Sequence, residues 1–515
     1  MSEMIHLVTL KGYDLLGAVE VTRYYCTGLG FNTGPGDTPA TTHFHPRVKQ
    51  PASASRQMFG AGRTSGRTQL AASDLIFTNA DGVLDNLLDL GLDGRAVIEE
   101  YGPDDGTYPA DFATTLTGVM EQVDAAVETI TVRVRAADFE TTVPLQTNKY
   151  GGSNSLPNGV DGVEADLKRK PKPVLYGSVT NLAPPCVNTS RLEYQVNDGA
   201  VQAISAVYDQ GVALTPGTAH ANQAAMEGAA TGAGTFDTWL GGGMFRLGSA
   251  PVGPVTCDCA EGANAAARYP AQIAKRILID RLGFASGDVS AGDVTALDTA
   301  APYECGFWWN EETTGTAALD EVLQSAGAWW GPDKDGLMRL AQFTAPSGTP
   351  VLALVAGDVI GPVLRSPVAD QDRGIPTFAV IVRYARNYTV QTTGLAAGVT
   401  AARRGVIAQE WREARYTDAS VQTAHLLARE IVVETGIVSA ANALTEATRL
   451  QALRGVRRDR FEFVVPQNTE TALLDLGQVV SLTHPRYGLS GGALLRIIGV
   501  EPDAAAKTIR LTGWK

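Results

Sequence analysis

The sequence predicts a mainly β fold with α+β insertions, spread over several domains. Three observations carry this reading. The chain has 515 residues, more than one hydrophobic core organises, so about two to four domains are expected. Glycine is frequent, at 55 residues, and with proline it supplies the turns that short strands need. Short runs alternate apolar and polar residues, whereas helical spacing is confined to the middle and to two stretches further on.

Residues 1–145 read as one β-rich domain. Ile130, Val132 and Val134 alternate with Thr131, Arg133 and Arg135, the period of a half-buried strand. Leu75, Ile76 and Phe77 form another strand, which Asn79-Ala80-Asp81-Gly82 ends with turn chemistry. Residues 83–90 suit one short helix, and residues 95–99 return as a strand. Residues 29–67 are rich in Gly, Thr, Pro and Arg and read as an exposed loop. Residues 144–173, with five prolines and glycines among their first sixteen positions, read as a connector.

Residues 146–260 form a β-rich peripheral domain. Segments 192–196 and 201–208 are expected to pair as a hairpin through Asn197-Asp198-Gly199, a strong turn signal. Residues 215–235, almost all Ala, Gly, Thr and Asn, read as a mobile loop. Residues 261–374 switch to helical period as a small α+β module. Pro270 suits a first helical turn. Ile273, Ala274, Ile277 and Leu278 form one apolar face, with Gly283 as a left-handed stop. Leu319, Val322, Leu323 and Ala326 repeat the pattern before Gly327. Trp329-Trp330, the turn Asp333-Lys334-Asp335-Gly336 and residues 337–343 form a hairpin. Residues 375–515 begin with a strand at 378–384 and continue with helices at 418–434 and 440–455. Arg454, Arg457 and Arg458 follow the second helix, where cations suit the dipole. Strands at 461–465, 479–483, 494–500 and 508–511 close the chain.

Composition narrows the function. The chain is 44% hydrophobic and 19% charged, with a formal net charge of −13. An acidic protein repels nucleic-acid phosphates, so DNA reading is excluded as a role, while a negative wall is compatible with DNA in transit. The five cysteines, Cys26, Cys186, Cys257, Cys259 and Cys305, are odd in number and scattered; folding in a reducing cytoplasm without a disulfide framework is expected. The N-terminus carries no basic segment followed by an apolar one, so no signal peptide is expected. Apolar runs fall short of the roughly 18 residues of a membrane span.

Each motif with chemical potential has a plainer rival. Gly488-Leu489-Ser490-Gly491-Gly492, near His484, matches the serine-hydrolase elbow, but that elbow needs a strand, a turn and a helix. Strands on both sides make it a hairpin loop. Cys257-Asp258-Cys259, with Cys186 or Cys305, are the weak candidates for a zinc or iron–sulfur site. C-x-C is tighter than the usual ligand spacing, and no second pair exists. His43 and His45 lack a third ligand. Asp333-Lys334-Asp335-Gly336 starts like a calcium loop but lacks the closing glutamate. Gly60-Ala61-Gly62-Arg63 departs from both phosphate-loop patterns; with Arg47, Lys49, Arg56 and Arg67 it makes a basic loop suited to an acidic neighbour. Trp308-Trp309 and Trp329-Trp330 suit a sugar platform or, more simply, packing within the α+β module. Glu304, Asp320 and Glu321 are the carboxylates a glycan-cleaving module would need, but Asp320 and Glu321 fall on an ordinary helix surface.

Several segments resemble one family. Phe77-Thr78-Asn79-Ala80-Asp81-Gly82 with the following VLDNLLDLGLDGRAV, then KPKPVLYGSVTNLAPPCVN, YQVNDGAVQAISAVYDQGVAL, LDLGQVVSLTHPRYGL and LLRIIGVEPDAAAKTIRLTGW, resemble baseplate and tail hub proteins of siphophages and Mu-like prophages with long flexible tails. The resemblance covers most of the chain and is weakest in the middle module. It implies two tail-tube-like β-barrel domains, 1–145 and within 375–515, with the helix 440–455 flanking the second. It implies a non-enzymatic homotrimer whose six barrels continue a hexameric tube and line the DNA channel at the virion tail tip. The implied partners are the distal tail protein ring, the tail tube, the tape-measure protein and a central fibre or tip protein. Some related hubs bind an iron–sulfur cluster; the cysteine spacing here does not match one. Two other readings stand beside it: a receptor-binding tail protein contacting host glycan or pilus, and a tail-associated cell-wall-degrading enzyme.

Overall fold

The computed structural model describes residues 3–60, 65–136, 139–368 and 374–515. The fold is mainly β, 40% strand and 18% helix, in several sheets. The chain divides into two compact units, each assembled from separated segments. The first comprises Met1–Phe139, Trp329–Ile375 and Arg457–Lys515; the second comprises Glu140–Ala328 and Pro376–Val456. The chain therefore changes unit four times, whereas the sequence reading divided it linearly at 145, 260 and 374.

The first unit holds two large sheets. One has ten strands, with Met4–Asp14 between Val19–Cys26 and Ala96–Pro103, followed by Ala113–Ala125, Thr129–Ala136 and Leu75–Thr78. Strand Thr129–Ala136 forms where expected. Ile130 and Val132 are fully buried because the pleat turns every second side chain inward. The turn after Leu75–Thr78 is built by Asn79, whose Oδ1 accepts from Leu84 N at 2.8 Å. The second sheet has eight strands. Its main path runs Leu352–Val355, Val479–Thr483, Ala493–Asp503, Thr508–Trp514, Arg458–Pro466 and Ile360–Val368.

The stretch 29–67 is not one exposed loop. Strands Phe31–Asn32, His43–Pro46 and Val48–Gln50 join the ten-stranded sheet, and Ala54–Gln57 joins the eight-stranded one. Phe31, Phe44, Val48, Ala54 and Met58 are buried. Strands this short show too few residues for a period of two to be visible.

The second unit combines three smaller sheets with the longer helices. One five-stranded sheet centres on Val255–Ala260, between Ala203–Asp209 and Val174–Leu182; another centres on Met244–Leu247, between Glu193–Gln195 and Thr235–Trp239. Helix Gly315–Gln324 starts at Thr314, which accepts from Ala317 N, and buries Ala318, Leu319, Val322 and Leu323. Gly327 (φ +57) and Gly283 (φ +80) take the left-handed conformation expected after their helices.

Three expectations give way to the observed fold. Asn197-Asp198-Gly199 does not close a hairpin: Glu193–Gln195 and Ala203–Asp209 belong to different sheets. Asn197 Oδ1 accepts from Leu175 N at 2.8 Å, so the turn is held by a strand outside the two it connects. Residues 215–235 are not a mobile loop. Strand Thr215–Ala219 runs parallel to Thr235–Trp239, and helix Gln223–Gly228 buries Met226. Arg246 fixes that helix by donating to the carbonyls of Met226, Glu227 and Ala229. Residues 418–434 are not one helix: Ala419–Ala424 is helical, but Glu430–Glu434, rich in β-branched residues, pairs parallel with Ala379–Tyr384. Helix Ala440–Arg454 forms as expected and belongs to the second unit. Its Ala443, Ala447 and Leu450 are buried, and it packs on strands Ala379–Tyr384 and Arg412–Thr417.

Candidate functional site

Cys257 and Cys259 share one face of strand Val255–Ala260, as residues two apart on a strand must. Both are buried, and Cys259 Sγ donates to Cys257 Sγ at 3.4 Å. Burial pushes the Cys257 thiol well above its ordinary range, opposite to what thiolate ligation needs. Cys186 and Cys305 are raised too, chiefly by burial. Among the described residues no three His, Cys, Asp or Glu side chains stand together as a metal site. The residues present therefore do not fit an iron–sulfur cluster.

The other motifs fall into structural places. Strands Val479–Thr483 and Ala493–Asp503 pair antiparallel on either side of Ser490, and His484 Nδ1 accepts from Arg486 N. That is a hairpin loop, with no helix after the serine. His43 and His45 stand edge-on at 4.7 Å on strand His43–Pro46, which pairs on both sides, and His43 Nδ1 meets Asn32 Oδ1 at 2.8 Å. Asp333 Oδ1 accepts from the backbone of Asp335 and Leu337, which makes a turn. Of the Gly60–Arg63 motif, residues 61–63 lie outside the described residues. The four tryptophans are all buried, so none offers a sugar platform. Trp308 and Trp309 pack in the second unit and Trp329 and Trp330 in the first, not in one module. Glu304 pairs with Arg268 at 2.6 Å. Asp320 and Glu321 lie on helix Gly315–Gln324, both half-buried.

Two surfaces remain that carry chemistry or contact potential. The first is an edge of the eight-stranded sheet. Strand Ile360–Val368 pairs with Arg458–Pro466 on one side and ends the sheet on the other. Ile360 and Leu364 stand about half exposed along it. Its exposed aliphatic side chains suit contact with another chain, while Pro362 and Pro367 remove two of its backbone donors. Both ends of the ten-stranded sheet, in contrast, are strands of two and three residues.

The second surface is a cleft of about 480 Å³ in the second unit, lined by Glu321, Gln324, Arg383, Arg386, Trp411 and Glu434 among others. The Arg386 guanidinium lies 4.9 Å from the Tyr388 ring and 5.2 Å from the Trp411 ring. Glu321 and Glu410 hold it at 3.6 and 3.3 Å. Arg383 donates to Glu413 at 3.2 Å and to Glu434 at 2.8 Å. Glu321 Oε2 accepts from Trp309 Nε1 at 2.8 Å, and burial raises this carboxyl above the usual range. Sequence reasoning named Glu321 but missed Trp411 and both arginines. The signal was Glu410-Trp411-Arg412-Glu413, a lone aromatic in a charged run.

No protein-family model matches the chain, and no curated protein matches it. Among solved structures the chain is similar to tail proteins of phages and prophages. The 43 kDa tail protein of prophage MuSo2 from Shewanella oneidensis is 11% identical, with 99% of this chain and 98% of that chain covered and a TM-score of 0.41. The tail protein from Neisseria meningitidis MC58 is 10% identical, with coverages of 99% and 96% and a TM-score of 0.39. Prophage tail protein gp18 from Listeria monocytogenes EGD-e is 9% identical, with coverages of 99% and 94% and a TM-score of 0.41. Among the described residues, no helix is long and apolar enough to cross a membrane.

Proposed function

We propose that the chain is a structural, non-enzymatic hub at the distal end of a bacteriophage tail. In this reading three copies form a ring that joins the tail tube and distal tail ring to a central fibre or tip, with DNA passing through. The observation that carries it is the make-up of the first unit. One compact unit contains two large, mainly antiparallel sheets, the first from Met4–Ala136 and the second from Leu352–Val368 and Arg458–Trp514 with strands Ala54–Gln57 and Gln69–Ala72 added. Two such sheets per chain suit a trimer that presents six similar segments to a sixfold tube. The second barrel of this reading thus omits residues 376–456.

Two further features agree. The edge Ile360–Val368 offers exposed aliphatic side chains, Ile360 and Leu364, for contact between copies. The formal charge of −13 disfavours adhesion of DNA to the wall. Particle mass by light scattering and negative-stain imaging of the purified chain test the proposal. A trimeric ring with pseudo-sixfold outline is expected, and Leu364→Lys is expected to shift it toward monomer. A wild-type chain that stays monomeric both alone and with tail tubes present overturns it.

A further inference from the structure

We propose that the cleft of the second unit binds a neutral, hydroxyl-rich saccharide. This goes beyond the hub reading and does not depend on it.

Arg383 is matched by Glu413 and Glu434, and Arg386 by Glu321 and Glu410. Each guanidinium thus faces two carboxylates. On the lining itself two acids, Glu321 and Glu434, balance two bases, Arg383 and Arg386, and the further pairing with Glu410 and Glu413 leaves neither guanidinium free for a phosphate or carboxylate ligand. The two guanidinium groups on the wall equally disfavour an isolated ammonium. What remains is an array of planar donors and acceptors held in fixed directions by their mutual pairing. A hydroxyl both donates and accepts, so a ligand with several neighbouring hydroxyls satisfies carboxylates and guanidiniums in turn.

Three other features point the same way. Trp411 is half-buried on the wall, where an indole packs against the apolar C–H face of a sugar ring. The Gln324 side-chain amide lines the cleft and adds two donors and an acceptor beside Glu321. The cleft volume of about 480 Å³ lies within the range of about 300–1,000 Å³ typical of ligand sites, enough for a short oligosaccharide.

The test uses the full-length chain and titration calorimetry. The probes are neutral oligosaccharides (chitotriose, maltotriose, cellotriose, and galactose- and rhamnose-containing trimers), with inorganic phosphate and trilysine as charged probes. At least one neutral probe is expected to bind, and Trp411→Ala is expected to weaken it by about tenfold or more. Val432→Trp, which fills the cleft from a half-exposed position, is expected to do the same with an unchanged melting temperature. It keeps the test decisive if Trp411→Ala fails to fold. Failure of every neutral probe to bind overturns the proposal. So does binding that neither variant weakens, or a cleft-dependent preference for phosphate or trilysine. Ring formation is measured separately, so loss of saccharide binding with rings intact leaves the hub reading standing.

Discussion

The two units satisfy their backbone polar groups by different means. In the first, hydrogen bonding runs along extended ladders, with one strand reaching thirteen residues. In the second the longest strand has nine residues, and buried amide side chains complete what short ladders leave open. Asn181 donates to Asn387 Oδ1 and the Thr389 carbonyl. Asn188 donates to the Pro157 and Gly159 carbonyls, and Gln451 donates to the Thr377 carbonyl. A sheet with long strands tolerates a poor loop, because neighbouring rungs hold its register. A unit knitted by single side chains does not. Substitutions inside elements should therefore cost either unit, whereas those in connections should cost chiefly the second.

The largest expected effect tests how tightly the short sheets are set. Gly177 and Gly306 face each other across strands Val174–Leu182 and Gly306–Trp309. A Cβ on Gly306 would stand 1.8 Å from the Ser178 carbonyl oxygen, and backbone cannot yield as a flexible side chain does. Gly306→Ala is expected to destabilise the second unit by more than about 4 kcal/mol. Limited proteolysis followed by mass spectrometry should show cleavage within residues 140–328 while Met4–Ala136 stays protected. Uniform loss of protection would break the distinction between the units.

Next in size is a charge pair of the first unit. Arg56 Nη1 meets Asp475 Oδ1 at 2.8 Å, and both side chains are almost wholly buried. Arg56→Ala strands a buried carboxylate and is expected to cost about 3–5 kcal/mol in denaturant titration. Arg56→Met with Asp475→Leu removes both charges and should recover most of that loss. If the double variant is as unstable as the single one, the pair does more than neutralise itself.

The same contrast explains what was legible in the sequence. Ile130, Val132 and Val134 announced their strand because one face is buried and the other wet. Leu319, Val322 and Leu323 announced a helix for the matching reason at period 3.6. The stretch 29–67 was misread because its buried anchors, Phe31, Phe44 and Met58, are separated by irregular spacings. Asn197-Asp198-Gly199 was read as a hairpin because local turn chemistry does not reveal that Asn197 bonds to Leu175. The cleft was illegible for a related reason: Glu321, Arg386 and Trp411 lie far apart in sequence and meet only when helix and sheet pack.

A smaller effect separates two buried glutamates, one from each unit. In the first unit Glu99 is fully bonded, to His6 Nδ1 at 2.7 Å and Ala52 N at 2.9 Å. In the second unit neither Glu193 oxygen has a hydrogen-bond partner among the described residues. Burial, reinforced by Glu227, pushes its carboxyl from 4.5 up to about 7. Between those values the unfolded chain has lost the proton that the folded chain keeps, so stability falls as pH rises through the window. This contribution is complete below pH 4.5 and gone above about pH 7. Glu193→Gln is expected to raise stability at pH 8 by on the order of 1–3 kcal/mol and to flatten the slope between pH 5 and 7. Melting temperatures across that range check it; an unchanged slope assigns the pH dependence elsewhere.

The smallest effects set one loop of each unit against the other. Asn197 Oδ1 accepts from Leu175 N, and its Nδ2 donates to the Gly199 and Ala200 carbonyls. Asn197→Ala leaves a buried N–H unsatisfied and is expected to cost about 1–3 kcal/mol. Ser490 is exposed in the loop between two strands whose register is fixed by four paired positions. Ser490→Ala is therefore expected to stay within about 0.5 kcal/mol of wild type. The same pair of variants bears on chemistry, because a serine nucleophile at 490 predicts loss of esterase turnover on p-nitrophenyl acetate with stability unchanged. If both substitutions cost the same, connections are held alike in the two units, and the contrast between ladders and single side chains fails where it is most easily measured.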